Sequence, residues 1–165
     1  MFFLIERPSK DGLGSAYRTG FKWFLDSHFD YCVEMDADFS HRFTDLENII
    51  NKISESDIVI GSRYIENGGS KGWDFKRKTL SKYANILAKY ILKSKVNDLT
   101  SGFRSFSKNA LNKIDFASTD TNGYGFQIEM AYLAEINNLK IKEIPIIFEE
   151  RRLGESKMSY WIVLE

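Results

Sequence analysis

The chain has 165 residues, 43% of them hydrophobic and 15% aromatic, enough for one domain with a real core. Its 23 basic and 23 acidic residues cancel, so the overall charge does not argue for a nucleic-acid partner. The single cysteine, Cys32, excludes an internal disulfide and fits a reducing compartment; no apolar run approaches the ~20 residues of a membrane span, and Met1–Ile5 is too short for a signal peptide.

Phe2–Ile5 reads as a buried strand, followed by a turn-rich loop over Arg7–Gly12. The spacing of Ala16, Tyr17, Gly20, Phe21 and Phe24 predicts a helix over Gly14–Leu25. Gly12-Leu13-Gly14-Ser15-Ala16-Tyr17 is half of a dinucleotide fingerprint. The third glycine is Tyr17, however, and a loop separates the first from the strand, so a nicotinamide-dependent dehydrogenase is rejected. Tyr31–Met35 is an apolar run that leads into Asp36-Ala37-Asp38. A second such run, Asp57–Gly61, follows after a helix-length interval, which predicts a parallel, buried sheet. Asp36 and Asp38 should then stand beyond the carboxyl end of a strand, at the mouth of a cleft.

In an extended segment, residues two apart point to the same side. Two carboxylates there repel unless a divalent cation lies between them and a phosphate, a role suited to Mg²⁺ or Mn²⁺. A bare D-x-D is more often a solvated turn; the strand before it and the motifs behind it shift the reading toward a metal site. His41 reads either as a further ligand or, more commonly for such a loop, as a solvated side chain. Thr44 with Glu47 predicts a capping box that opens a helix running through Ile53. Glu66–Asp74 holds three glycines in five residues and reads as a mobile loop, a candidate lid, in which Trp73 needs a core pocket or a ligand to cover it.

Phe75–Lys95 reads as an amphipathic helix, with Leu80, Tyr83, Ala84, Leu87, Tyr90 and Ile91 on one face. Seven basic residues from Lys76 to Lys95 meet no acid between Asp74 and Asp98. Such a helix suits an anionic membrane surface; the alternative is a helix packed on the domain with a solvated lysine face. Asn97–Arg104 reads as a turn into a short strand ending near Phe106, with Ser107 capping a short helix. A further helix is expected over Gln127–Asn137, then a strand over Lys140–Phe148 placed at an edge or bulge by Pro145. Glu149–Lys157 is polar, loop-like and able to swing over a ligand.

Seven stretches in this order resemble family 2 glycosyltransferases of the GT-A fold, most closely the dolichol-phosphate (polyprenol-phosphate) mannose synthases. They are Gly12–Tyr17, Met35–His41, Gly61–Tyr64, Gly72–Arg77, Asp98–Arg104, Gly123–Met130 and Gly154–Lys157. Each is weak alone; together they cover nearly the whole chain. The resemblance implies an α/β, Rossmann-like, three-layer sandwich, with residues 1–150 forming a GT-A domain and residues 151–165 an active-site tail. The family's opening Pro-x-Tyr-Asn-Glu and Asp-Asp-x-Ser-x-Asp motifs, which hold base and ribose, have no match here. The expectation is therefore an N-terminally truncated domain whose tail is also cut short.

By the same resemblance, the donor is GDP-mannose and the acceptor a dolichyl or polyprenyl phosphate at the cytoplasmic membrane face, with inversion at the sugar. Asp36 and Asp38 would hold Mg²⁺ or Mn²⁺, with Asp38, Arg63, Arg77 and Arg151 as the catalytic set. Gly12, Gln127, Glu129, Arg151 and Lys157 would join the two aspartates in donor binding. Arg63, Arg77 and Ser81 would bind the acceptor phosphate. The implied partners are a nucleotide sugar, the lipid, the membrane surface and a membrane-anchoring or complementing subunit, with no nucleic acid. The rival readings are a polyprenyl-phosphate glucosyl- or aminosugar-transferase and a non-catalytic fragment of such an enzyme.

Overall fold

A computed structural model describes residues 3–121 and 123–150. In chain order they form α1 (Gly12–Asp26), β1 (Tyr31–Glu34), α2 (Phe43–Ile53), β2 (Ile58–Ser62), β3 (Gly69–Lys71), α3 (Phe75–Leu92), β4 (Arg104–Ser107), α4 (Lys108–Lys113), a 3₁₀ turn (Phe116–Ser118), α5 (Gly123–Ile136), β5 (Ile141–Pro145) and β6 (Ile147–Glu149). The main sheet has the order β1-β4-β2-β5.

β2 is apolar on both faces because both faces are covered. Ile58 and Ile60 pack with Phe21, Phe106, Phe126 and Met130 under α1, α4 and α5, while Val59 packs with Ile49 of α2, Phe103 and Ile146. This is the three-layer α/β sandwich. Phe21 sits at the centre of the larger cluster, edge-on to Phe106 and Phe116 at 5.2 and 5.4 Å. Burying each such side chain stabilises the fold by roughly 1.5–3 kcal/mol.

Several expectations are corrected. The sheet is mixed, not wholly parallel: β4 lies antiparallel between β1 and β2, and only β2 and β5 pair in parallel. Among the described residues, Phe3–Ile5 form no strand. They have no neighbour in either sheet and their side chains face solvent, Leu4 at 85% exposure. The capping box at Thr44 does not form. α2 starts two residues earlier with Arg42 at its cap, and the Arg42 guanidinium grips Asp45 at 2.9 Å instead. The region read as a mobile lid carries β3, which pairs in parallel with β6. Its glycines serve close approach: a Cβ on Gly68 would lie 2.6 Å from the Ser62 carbonyl oxygen. The strand expected over Lys140–Phe148 breaks after Pro145. β5 takes an edge of the main sheet and β6 joins β3 in a second, two-stranded sheet.

Of the two arrangements open for α3, the structure shows the one with its apolar face outward. Its buried residues are Ser81 and Asn85, whereas Tyr83, Leu87, Tyr90 and Ile91 are exposed at 58–82%. The Asn85 amide donates to the Asn97 carbonyl and its Oδ1 accepts from the Leu99 N–H at 2.8 Å. The polar face of the helix therefore holds the 97–100 loop, and the apolar face looks outward.

Candidate active site

A cleft of about 630 Å³ opens at the carboxyl ends of β1 and β2. Gly12, Asp36, Asp38, Arg63, Arg77 and Gln127 all line it, together with Tyr17, His41, Trp73 and Tyr124. With Thr100, Ser101 and Gly102, residues from six of the seven motifs thus converge on one cavity. Gly12 has φ +88°, a left-handed backbone that glycine adopts at little cost where α1 begins. Ser81 and Glu129 do not line this cleft. They line a neighbouring apolar groove between α3 and α5, about 390 Å³, which shares Thr100 and Tyr124 with it. Ser81 Oγ is hydrogen-bonded to the Tyr64 hydroxyl at 2.7 Å, and Glu129 accepts from Thr121 Oγ1 at 2.5 Å. Arg151 and Lys157, with the rest of the tail over residues 151–165, lie outside the described residues.

The two aspartates follow β1 directly and are half-buried. Phe39 has φ 64°, and the Ser40 N–H turns back to Asp38 Oδ1 at 3.0 Å. His41 is buried against Phe103, with a centroid separation of 4.4 Å. Its Nε2 lies 3.8 Å from Asp36 Oδ2, and both ring nitrogens are buried without a hydrogen-bond partner among the described residues. Burial pulls its pKa down to about 4 against the opposing charge of Asp38, so the ring is neutral at pH 7. Hard carboxylate oxygens beside an unsatisfied neutral imidazole fit a divalent cation. No cluster of three or more acidic, histidine or cysteine side chains forms among the described residues. That donor set suits an ion taking its remaining ligands from phosphate oxygens and water.

The cations are held very differently. Arg63 is locked to Asp98: its Nε and Nη2 donate at 2.8 Å to Oδ2 and Oδ1, and its backbone N–H donates to Oδ2 at 2.9 Å. Burial opposes both charges, but the pairing outweighs it. The Asp98 carboxyl stays below its usual range and the guanidinium stays protonated. Arg77 lies at the rim, over the Trp73 ring at 4.2 Å, with Nη1 donating to Glu150 Oε1 at 3.3 Å. Trp73 is covered by a core pocket of Arg63, Arg77 and Phe148.

Gln127 is fixed from two sides. Its main-chain carbonyl accepts from Arg104 Nη1 at 2.8 Å and its side-chain Nε2 donates to Glu34 Oε2 at 3.1 Å. Arg104, fully buried, also donates to the Leu99 and Ser101 carbonyls and so ties the 99–101 loop to α5. Burial pushes Glu34 up to about 8. Sequence reasoning missed Asp98, Glu34 and Arg104 as organisers of the site. Asp98 and Arg104 fall within a quoted motif, but nothing local shows which cation or carbonyl each one meets.

The sequence matches glycosyl transferase family 2 over residues 1–115. Among curated relatives, polyprenol monophosphomannose synthase of Mycolicibacterium smegmatis is 41% identical over 157 residues, covering 94% of this chain and 59% of that protein. Undecaprenyl-phosphate mannosyltransferase of Micrococcus luteus is 40% identical over 162 residues, covering 98% of this chain and 67% of that protein. The chain thus spans only part of the length of these relatives. Among solved structures, M. tuberculosis glucosyl-3-phosphoglycerate synthase aligns with a TM-score of 0.58 at 17% identity, over 96% of this chain and 52% of that one. The same enzyme in complex with Mn²⁺ and uridine-diphosphate-glucose aligns with a TM-score of 0.57 at 18% identity, over 94% of this chain and 50% of that one. At such identities the likeness bears on the fold, which is GT-A. Motif order, sequence match and layer architecture agree, and the chain belongs to glycosyl transferase family 2.

Proposed function

We propose that the chain is the transferase core of an inverting enzyme that moves mannose from GDP-mannose to a polyprenyl phosphate at a membrane surface. The observation that carries this reading is one cleft lined by both a carboxylate pair and two guanidinium groups, with an apolar groove sharing its wall. A nucleotide-diphosphate sugar calls for the first, a phosphate acceptor for the second and a prenyl chain for the third. The names of the two mannosyl-transferring relatives support the choice of sugar and lipid.

Asp36 and Asp38 are the residues that would hold Mg²⁺ or Mn²⁺. That ion supplies charge neutralisation to the leaving diphosphate, and a neighbour of the same fold binds Mn²⁺. Gly12 leaves room for the donor, and Gln127, held by Glu34 and Arg104, meets its sugar. Arg77 binds the acceptor phosphate; Arg63, tied to Asp98, adds positive potential beneath it. The acceptor phosphate is already ionised at neutral pH, so the attack needs no general base. Arg151 and Lys157 of the tail would complete the donor site. The basic α3, with tyrosines and leucine outward, faces the membrane.

The test is calorimetric titration of GDP-mannose with Mn²⁺ into the purified chain and its Asp38→Ala variant, followed by transfer to a short polyprenyl phosphate. Metal-dependent binding lost in the variant, with mannose on the lipid, is the expected result. A folded chain that neither binds the donor nor transfers mannose would rule the reading out, and a preference for UDP-glucose would move it to the glucosyl branch.

A further inference from the structure

The two guanidinium groups of the cleft differ in what a ligand could displace. The Arg63 partner, Asp98, has a fully buried side chain and is hydrogen-bonded through the backbone as well. The Arg77 partner, Glu150, has a side chain 51% exposed and makes one contact at 3.3 Å, long for a charge-assisted bond. Arg77 itself is only 15% exposed, and its Nε is buried with no hydrogen-bond partner among the described residues. Its Cζ lies over the Trp73 ring at 4.2 Å, a contact that holds the cation in place when its half-exposed partner leaves.

The backbone brings Glu150 to this position. Its N–H donates to the Lys71 carbonyl at 3.0 Å, extending the β3·β6 ladder. Gly72 has φ +88°, and a Cβ there would come within 2.8 Å of Glu150 Cβ. The chain thus holds a carboxylate over Arg77 by a fixed backbone and a loose side chain.

We propose that Glu150 is a placeholder anion on Arg77, displaced by a dianionic phosphate monoester, and that it thereby raises the affinity an acceptor anion needs to occupy the cleft. The reasoning is an exchange. A carboxylate ligand replaces Glu150 like for like and gains nothing. A phosphate monoester brings a second charge and a third oxygen, enough to engage the unsatisfied Nε as well as Nη1. Removing the placeholder costs every anion the same, so an anion that holds Arg77 no better than a carboxylate binds weakly and the dianion still binds. This rests on the reading that Arg77 binds the acceptor phosphate.

The experiment compares the wild-type chain with Glu150→Gln, which keeps the shape at an exposed side chain. Dodecyl phosphate and dodecanoate are titrated into each by calorimetry, and the acceptor KM is measured with a short polyprenyl phosphate. In Glu150→Gln the affinity for both anions should rise, by about two- to fivefold for the phosphate, the strength of a surface ion pair. The carboxylate should gain by about the same factor, because the displaced contact is the same for both. The acceptor KM should drop in parallel. Unchanged affinities would overturn the proposal, as would weaker phosphate binding in the variant. The two readings fail separately. Mannose transfer that Arg77→Ala abolishes and Glu150→Gln leaves untouched would sink the placeholder and spare the transferase. Tighter binding of both anions in Glu150→Gln without any transfer would do the reverse.

Discussion

Helices α5 and α3 border the same groove and are built on opposite plans. α5 buries Phe126, Met130, Ala131 and Ala134 in the main core and sends only Gln127 toward the cleft from among its fully buried side chains. α3 buries Ser81 and Asn85 and turns Tyr83, Leu87, Tyr90 and Ile91 outward. One helix is held by apolar area, the other by hydrogen bonds to a loop. The lesson is that α5 carries the fold, whereas α3 organises the site and leaves an apolar, basic face for a surface outside the domain.

The comparison can be broken first at α5. Phe126 is fully buried and stacks on Tyr17 at 5.7 Å. Phe126→Ala should cost about 3–5 kcal/mol, read by urea unfolding. Cys32 provides a second readout, because it packs against the same cluster on edge strand β1 and burial pushes its thiol up to about 12. At pH 8 its thiolate fraction is well below that of a free thiol, so disulfide-reagent labelling reports opening of this edge. Phe126→Ala should speed labelling. A triple change of Tyr83, Leu87 and Tyr90 to Ser on α3 should leave it as in the wild type.

A comparable loss is expected on the polar side, at the loop that α3 holds. Asp98→Asn leaves the buried Arg63 charge uncompensated and should cost about 3–5 kcal/mol. The sign with pH follows from the lowered Asp98 pKa. The stabilisation from this carboxylate is present above its unfolded value, about 3.9, and is lost as pH falls through the lower folded value. Acid titration of stability should therefore be shallower in the variant at its acid end; identical curves would show that the pair contributes no pH dependence.

Asn85→Ala is a smaller break. It removes one donor and one acceptor from the 97–99 backbone and should cost about 1–3 kcal/mol. Because the same loop carries Asp98 and Thr100, both bonded to Arg63, transfer should fall by more than stability alone explains. A purely structural role would lower the melting temperature and leave the acceptor KM in the folded chain unchanged.

Much of this was legible in the chain. The apolar runs located β1 and β2, the helical spacings located α1 and α3, and the D-x-D, Gly12, Arg63, Arg77 and Gln127 do line one cleft. What was not legible depends on partners remote in sequence. Periodicity shows that α3 has an apolar face but not which way it points; that is decided by the hydrogen bonds of Asn85 to residues 97 and 99. The antiparallel direction of β4 and the pairing of Gly69–Lys71 with Ile147–Glu149 leave no local pattern, since a short strand reads alike in either direction. Glycines in that loop suggested mobility because the sequence cannot show the backbone they let approach.

The smallest expected effect on stability tests the outward face of α3. Lys78 and Lys82 are exposed, and neither makes a salt bridge among the described residues. Lys78→Glu with Lys82→Glu should change stability by no more than about 0.5 kcal/mol. If this face meets an anionic bilayer, each lysine lost weakens binding by about 1 kcal/mol, so the pair should reduce co-sedimentation with phosphatidylglycerol vesicles by about tenfold or more. The defect should shrink at high salt, where surface attraction is screened. Lys89 is the wrong choice for this test: its Nζ is bonded to Asn97 Oδ1 at 2.5 Å, so changing it would disturb the loop as well as the surface. Vesicle binding indifferent to the Lys78 and Lys82 charges would mean that the apolar residues of α3 face something other than anionic lipid. The contrast with α5 would then rest on a partner subunit instead of a membrane.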